Sequence, residues 1–91
     1  MAGIDYNNDS EFFKALGHPV RLKIVHGIIN NKGCNVSQMV EKLKLPQSTV
    51  SQHLGILRSR GIIVPCKNGV STCYEISDSR VQAIVKIIES R

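Results

Sequence analysis

Apolar residues recur along this chain at helical spacing in five stretches and at strand spacing in one. Asp9 or Ser10 predicts the cap of a first helix that runs to Leu16, with Phe12, Phe13 and Leu16 on or beside one stripe and Gly17 as its stop. Pro19 suits the first turn of a second helix, where its missing N–H is not needed, and Leu22, Val25 and Ile29 follow at i, i+3 and i+7. His26 occupies the i+4 place of that stripe and is expected to be a hydrogen-bonded packing residue on an apolar face. A polar break from Asn30 to Gly33 leads to Asn35, the expected cap of a third helix whose apolar side is Val36, Met39, Val40 and Leu43.

Pro46 interrupts the pattern, and Gln47 to Arg60 resumes it with Val50, Leu54 and Leu57 on one side and Gly61 at the end. A connection of about three residues between the third and fourth helices is that of a helix-turn-helix. Ile62 to Cys66 and Val70 to Ile76 are β-branched runs around Asn68-Gly69, a strong hairpin signal. Ser77 or Asp78 then caps a last helix carrying Val81, Ile84, Val85 and Ile88 at i, i+3, i+4 and i+7. The expected order is α-α-α-α-β-β-α. This is a mainly α chain with a small β-hairpin, a winged helix-turn-helix, in one domain over 1–91.

Length agrees, since 91 residues at 42% hydrophobic supply one core. A chain this small buries only about 60–65% of its unfolded surface, which favours a partner subunit. No apolar run approaches the roughly 18–20 residues of a membrane span, and Met1 to Asn8 does not read as a secretory leader, so the cytosol is the expected compartment and no membrane partner is expected.

Charge narrows the partner. Twelve Lys and Arg against seven Asp and Glu give +5, which favours a polyanion. From Lys42 to Tyr74 there is no acidic residue, while Lys42, Lys44, Arg58, Arg60 and Lys67 fall within that stretch. Opposite the core stripe of the fourth helix lie Ser48, Gln52, Gly55 and Ser59, with Thr49 and Ser51 on its flanks. That face is small, neutral and hydrogen-bonding, suited to a major groove, where Gln pairs bidentately with adenine and Ser or Thr reach base edges and phosphates. The expected double-stranded DNA contacts are Gln47, Ser48, Thr49, Ser51, Gln52, His53, Arg58 and Arg60, with Lys67 and Asn68 at the hairpin tip gripping phosphate or a minor groove. His53 lies about 60° from Val50, so packing competes with base reading there.

The segments Leu16 to Leu22, Gln47 to Leu54, Leu57 to Ile63 and Tyr74-Glu75-Ile76 resemble, in order and over nearly the whole length, the ArsR/SmtB family of bacterial transcriptional repressors, in particular its PagR-like members. The resemblance implies a homodimer whose first and last helices form the interface, recognition helices in successive major grooves of an imperfect palindrome, and release by an inducer. Phe12, Phe13, Val81, Ile84, Val85 and Ile88 are the expected interface residues. The family's metal sites are not matched. Asn35 and Ser37 stand where relatives carry a Cys-Val-Cys pattern, and the last helix has no His to join Asp78 and Glu89. No metal and no cofactor are expected.

Three cysteines are an odd count and read as thiols. If Asn68-Gly69 is a two-residue turn, Cys66 and Cys73 are diagonal neighbours; if the loop has four residues they are directly opposite, and a strained, redox-labile disulfide becomes feasible. With Cys34 at the start of the third helix, they suggest a repressor released by thiol oxidation, against the plainer reading of three small apolar fillers. No catalytic set or phosphate-cradling loop is evident, so an enzyme is not expected. The alternatives are a constitutive, ligand-independent DNA-binding repressor and a winged-helix protein-interaction module.

Overall fold

The computed structural model describes residues 3–30, 35–68 and 71–91, and for Lys67, Asn68 and Ser71 the backbone alone. Cys34 and Gly69 lie outside the described residues.

The first helix, α1 (Tyr6–Leu16), starts earlier than the sequence suggests. Asp5 is the cap: its carboxylate accepts the N–H of Asn8 at 3.1 Å, and the Asp9 carboxylate reaches back to the N–H of Asp5 at 2.9 Å. Asp9 therefore belongs to the first turn, where its charge favours the positive helix end. Then come α2 (Pro19–Ile29), α3 (Val36–Leu43) and α4 (Gln47–Ser59). Asn35 and Gln38 close α3 with a reciprocal capping box. Lys44, in the left-handed region at φ 56°, turns the chain through Leu45 and Pro46 into α4. Gly61, at φ 71°, is the other left-handed residue among the described residues and lets the chain leave α4 for the hairpin.

The strands β1 (Ile63–Asn68) and β2 (Ser71–Ile76) pair antiparallel, and α5 (Ser79–Glu89), capped by Asp78, completes the chain. Asn68 pairs with Ser71, so it ends β1 rather than sharing a central turn with Gly69, and Cys66 stands directly opposite Cys73. An additional backbone bridge joins Asn35 to Cys73, tying the start of α3 to the wing.

The core gathers one face from each helix and the start of the hairpin: Phe12 and Leu16 of α1, Ile24, Val25 and Ile28 of α2, Met39 of α3, Val50, Leu54 and Leu57 of α4, Ile62 and Ile63 at the hairpin, and Val81 and Val85 of α5, with Tyr74 and Ile76 of β2 packed against it. Each fully buried Val, Leu or Ile contributes about 1.5–3 kcal/mol relative to exposure. Two expectations need correcting. The buried side of α2 is Ile24, Val25 and Ile28; Leu22 and His26 are exposed, because α2 turns that line toward α5. Of the six residues expected at a subunit interface, Phe12, Val81 and Val85 are 5%, 0% and 6% exposed within a single protomer, so they fill its own core. Phe13 and Ile88 remain exposed and Ile84 half-buried; Tyr6 and Ile87 are more exposed still, on the same two helices.

Candidate nucleic-acid interface

The three residues between α3 and α4 fix the crossing of these helices, and Val50, Leu54 and Leu57 anchor α4 by its inner stripe. That leaves Gln47, Ser48, Ser51, Gln52, Gly55 and Ser59 exposed on its outer side, with Thr49 half-buried at the edge. Ser48, Thr49, Ser51 and Gln52 make no side-chain hydrogen bond within the protomer among the described residues, so their donors and acceptors are available to a ligand. Ser59 differs: its hydroxyl donates to the carbonyl of Ile56 at 2.8 Å. A Cβ placed on Gly55 would meet nothing within 4 Å, so packing inside the protomer does not require glycine there. Pro46 precedes α4 without a side-chain cap, so no cap side chain takes up the first N–H groups of the helix.

Arg58 and Arg60 are exposed and form no ion pair among the described residues. The backbone of Lys67 and Asn68 lies in β1 opposite Thr72 and Ser71, at the outer end of the hairpin. Gln47 shares a surface depression with Glu41 of α3, so the acid-free stretch of sequence does not make an acid-free surface at that end of α4.

His53 is half-buried and belongs to a network that periodicity did not disclose. Arg21 donates to Nδ1 of His53 at 3.1 Å, and to the carbonyls of Ala15 at 2.6 Å and Lys14 at 3.2 Å. The His18 ring lies 4.6 Å from that of His53, centroid to centroid, and Nδ1 of His18 accepts the N–H of Val20 as the cap of α2. Burial, then the neighbouring His18 and Arg21, hold the His53 pKa below its ordinary value. One guanidinium thus ties the end of α1, the start of α2 and the middle of α4 together. The only sequence signal for it was Arg21 and His18 standing together in the Leu16 to Leu22 segment.

On the hairpin, Val64, Cys66, Cys73 and Glu75 share one face, while Ile63, Tyr74 and Ile76 turn to the core. Val64 is 41% exposed and both cysteines are partly exposed, so these two thiols are not core fillers. Cys66 donates to the Glu75 carboxylate at 3.3 Å.

Glu89, expected to have no imidazole partner, takes one from α2: Nε2 of His26 lies 2.5 Å from its carboxylate, at the rim of an apolar groove of about 360 Å³ between α2 and α5. Among the described residues no group of three His, Cys, Asp or Glu is placed to hold a metal ion, and no helix is long and apolar enough to cross a membrane.

The arrangement is that of known regulators. The chain is 41% identical over 81 residues to the transcriptional repressor PagR of Bacillus anthracis, covering 89% of this chain and 81% of that protein. The crystal structure of PagR superposes with a TM-score of 0.80 at 40% identity, covering 91% and 94% of the two chains. An uncharacterized HTH-type transcriptional regulator of Methanocaldococcus jannaschii is 39% identical over 84 residues, covering 92% of this chain and 94% of that one. HlyU from Vibrio cholerae N16961 superposes with a TM-score of 0.84 at 25% identity, over 98% and 96%. These relatives are transcriptional regulators rather than enzymes. Residues 18–64, from the cap of α2 through α4 into β1, match the family described as bacterial regulatory protein, arsR family, and the chain belongs to that family of winged helix-turn-helix, DNA-binding transcription regulators.

Proposed function

We propose that this chain is a homodimeric repressor that binds an imperfect palindrome in DNA through α4 and the wing around Lys67, works in the cytoplasm, and is released when Cys66 and Cys73 are oxidised. The observation that carries the DNA-binding half is the outer face of α4. Ser48, Ser51 and Gln52 project unengaged hydrogen-bonding groups beside a glycine whose missing side chain serves no internal packing. Such a face fits a major groove closely, with Gln52 and Ser48 reading base edges and Arg58, Arg60 and Lys67 holding phosphates. The reading as a protein-interaction module does not account for Arg58 and Arg60 at the end of the same helix, which form no ion pair among the described residues.

The dimer reading rests on Tyr6, Phe13, Ile87 and Ile88, 80%, 60%, 70% and 43% exposed on α1 and α5. Apolar residues in such number on two helices of a small domain favour a second copy of the chain.

Thiol release rests on the pairing of Cys66 opposite Cys73 on the outward face of the wing. Two thiols and one peroxide would give one disulfide and two waters, both protons and both electrons leaving the sulfurs. Directly opposite residues have Cβ atoms about 4.5–5.5 Å apart and a disulfide about 3.5–4.5 Å, so the strands must draw together and the tip carrying Lys67 must shift.

Titration of a duplex from the region upstream of the chain's own gene, in reductant and then in peroxide, tests both halves. Binding in reductant that weakens in peroxide is expected. Binding indifferent to peroxide favours the constitutive repressor, and no binding in either condition favours the protein-interaction module.

A further inference from the structure

Beyond the contacts already proposed for α4, we propose that Arg21 is a positioning residue for DNA binding: it fixes His53 as a neutral imidazole whose Nε2–H donates to a DNA phosphate on the flank of the recognition helix. The inference rests on the DNA-binding reading above and assigns the atom, its charge state and the residue that sets it.

A guanidinium only donates hydrogen bonds, so the 3.1 Å contact between Arg21 and Nδ1 of His53 requires Nδ1 to be the acceptor. Nδ1 then carries no proton, the ring is neutral, and its single N–H is on Nε2. Nδ1 of His18 accepts the N–H of Val20 at 3.1 Å. The His18 ring lies 4.6 Å from that of His53. The charged groups around them agree. Arg21 and His18 both disfavour a cationic His53, and Lys14 and Arg60, with one acid, Glu11, border the depression beside Arg21.

Nε2 of His53 meets no hydrogen-bond partner among the described residues, and no buried side-chain nitrogen or oxygen among them lacks one, so this N–H faces solvent. It stands next in sequence to Gln52, about 100° around the helix from it. An N–H fixed there suits a phosphate oxygen, with a bond of about 2.7–3.2 Å. It does not suit a metal ion, because the tautomer set by Arg21 leaves no lone pair on Nε2.

A neutral phosphate contact has a signature that separates it from a cationic one. It adds affinity but neutralises no phosphate charge, so its loss leaves the salt dependence unchanged, whereas losing Arg or Lys lowers the slope of log K against log salt by about 0.9. His53→Leu is expected to weaken binding of the upstream duplex about tenfold with the same salt slope. His53→Gln, which can accept from Arg21 and donate outward, is expected to recover most of that loss. In the wild-type protein, two-bond nitrogen–proton couplings should report the Nε2–H tautomer at pH 7.5, and the Nε2–H resonance should shift and gain exchange protection on adding the duplex. If His53→Leu does not fold, His53→Gln and the tautomer measurement decide.

A Nδ1–H tautomer, a reduced salt slope in His53→Leu, or wild-type affinity in a folded His53→Leu overturns the inference while leaving the DNA-binding reading in place. Failure of the wild-type protein to bind any duplex overturns both.

Discussion

Cys66 and Cys73 stand directly opposite one another across the hairpin, on the face that also carries Val64 and Glu75. If that pairing is the switch, peroxide should weaken DNA binding of the wild-type protein roughly tenfold, equivalent to about 1.4 kcal/mol. The Cys66→Ser, Cys73→Ser variant should bind equally with and without oxidant. Gel-shift titration of both proteins checks this, and a variant that still loses binding in peroxide would remove these thiols from the mechanism.

The register was not legible beforehand for a definite reason. The two pairings left open by the sequence differ by two residues, so both put the same side chains on the same faces and the hydrophobic pattern cannot choose between them. Asn68-Gly69 favoured one through local turn chemistry. The fold adopts the other, in which Ile63 pairs with Ile76.

Gly55 separates stability from binding. A Cβ there meets nothing within 4 Å, and alanine is the better helix former by about 1 kcal/mol, so Gly55→Ala should raise the melting temperature. The same methyl group would hold a groove wall away from α4, so affinity for the upstream duplex should fall. Calorimetry and anisotropy on the same sample check the opposite signs.

Arg80 ties α5 to α1: its guanidinium carbon lies 4.3 Å from the centre of the Phe12 ring, and Asp78 holds it while capping α5. Asp78→Ala should cost about 1–2 kcal/mol. The side-chain bond from Arg80 is the main cause holding the Asp78 carboxyl below its usual pKa, against an opposing effect of burial. Its contribution is therefore complete above the unfolded value of about 3.9 and is lost as pH falls further. Asp78→Asn should flatten that part of the acid unfolding curve.

His53 sets a second window. Its folded pKa lies below the unfolded value of about 6.5, so the neutral ring stabilises the fold fully above that pH and progressively less as pH falls below it. His53→Gln should remove this loss in denaturant unfolding followed between pH 7.5 and pH 5, while leaving the lower window of Asp78 intact.

The exposed apolar residues of α1 and α5 separate the proposed subunit interface from the core. Ile87→Asp should lower the mass seen in sedimentation toward a monomer that is still folded, because Ile87 is 70% exposed in the protomer. Val81→Asp should instead abolish folding, because Val81 is fully buried and its new carboxylate would have no partner there. A folded Ile87→Asp protein of unchanged mass would contradict the interface.

Element type and order were legible throughout because caps and periods are local: Asn35, Asp78, Pro19 and Gly61 each act where the sequence puts them. A stripe tells which side of a helix is apolar, not what covers it. Val81 and Val85 could face a partner or the protomer, and only the packing of α5 against the rest of the domain assigns them inward. The Arg21 network escaped for the same reason, since it joins residues 32 positions apart by side-chain geometry that no period encodes.

The central claim, that α4 reads DNA sequence, is tested most directly by anisotropy titrations of wild type and Gln52→Ala on the upstream duplex and on a scrambled duplex, between about 50 and 200 mM salt. Wild type should prefer the upstream duplex, and Gln52→Ala should lose that preference while keeping its affinity for the scrambled one. Equal loss on both duplexes, or no preference in the wild-type protein, would contradict the claim.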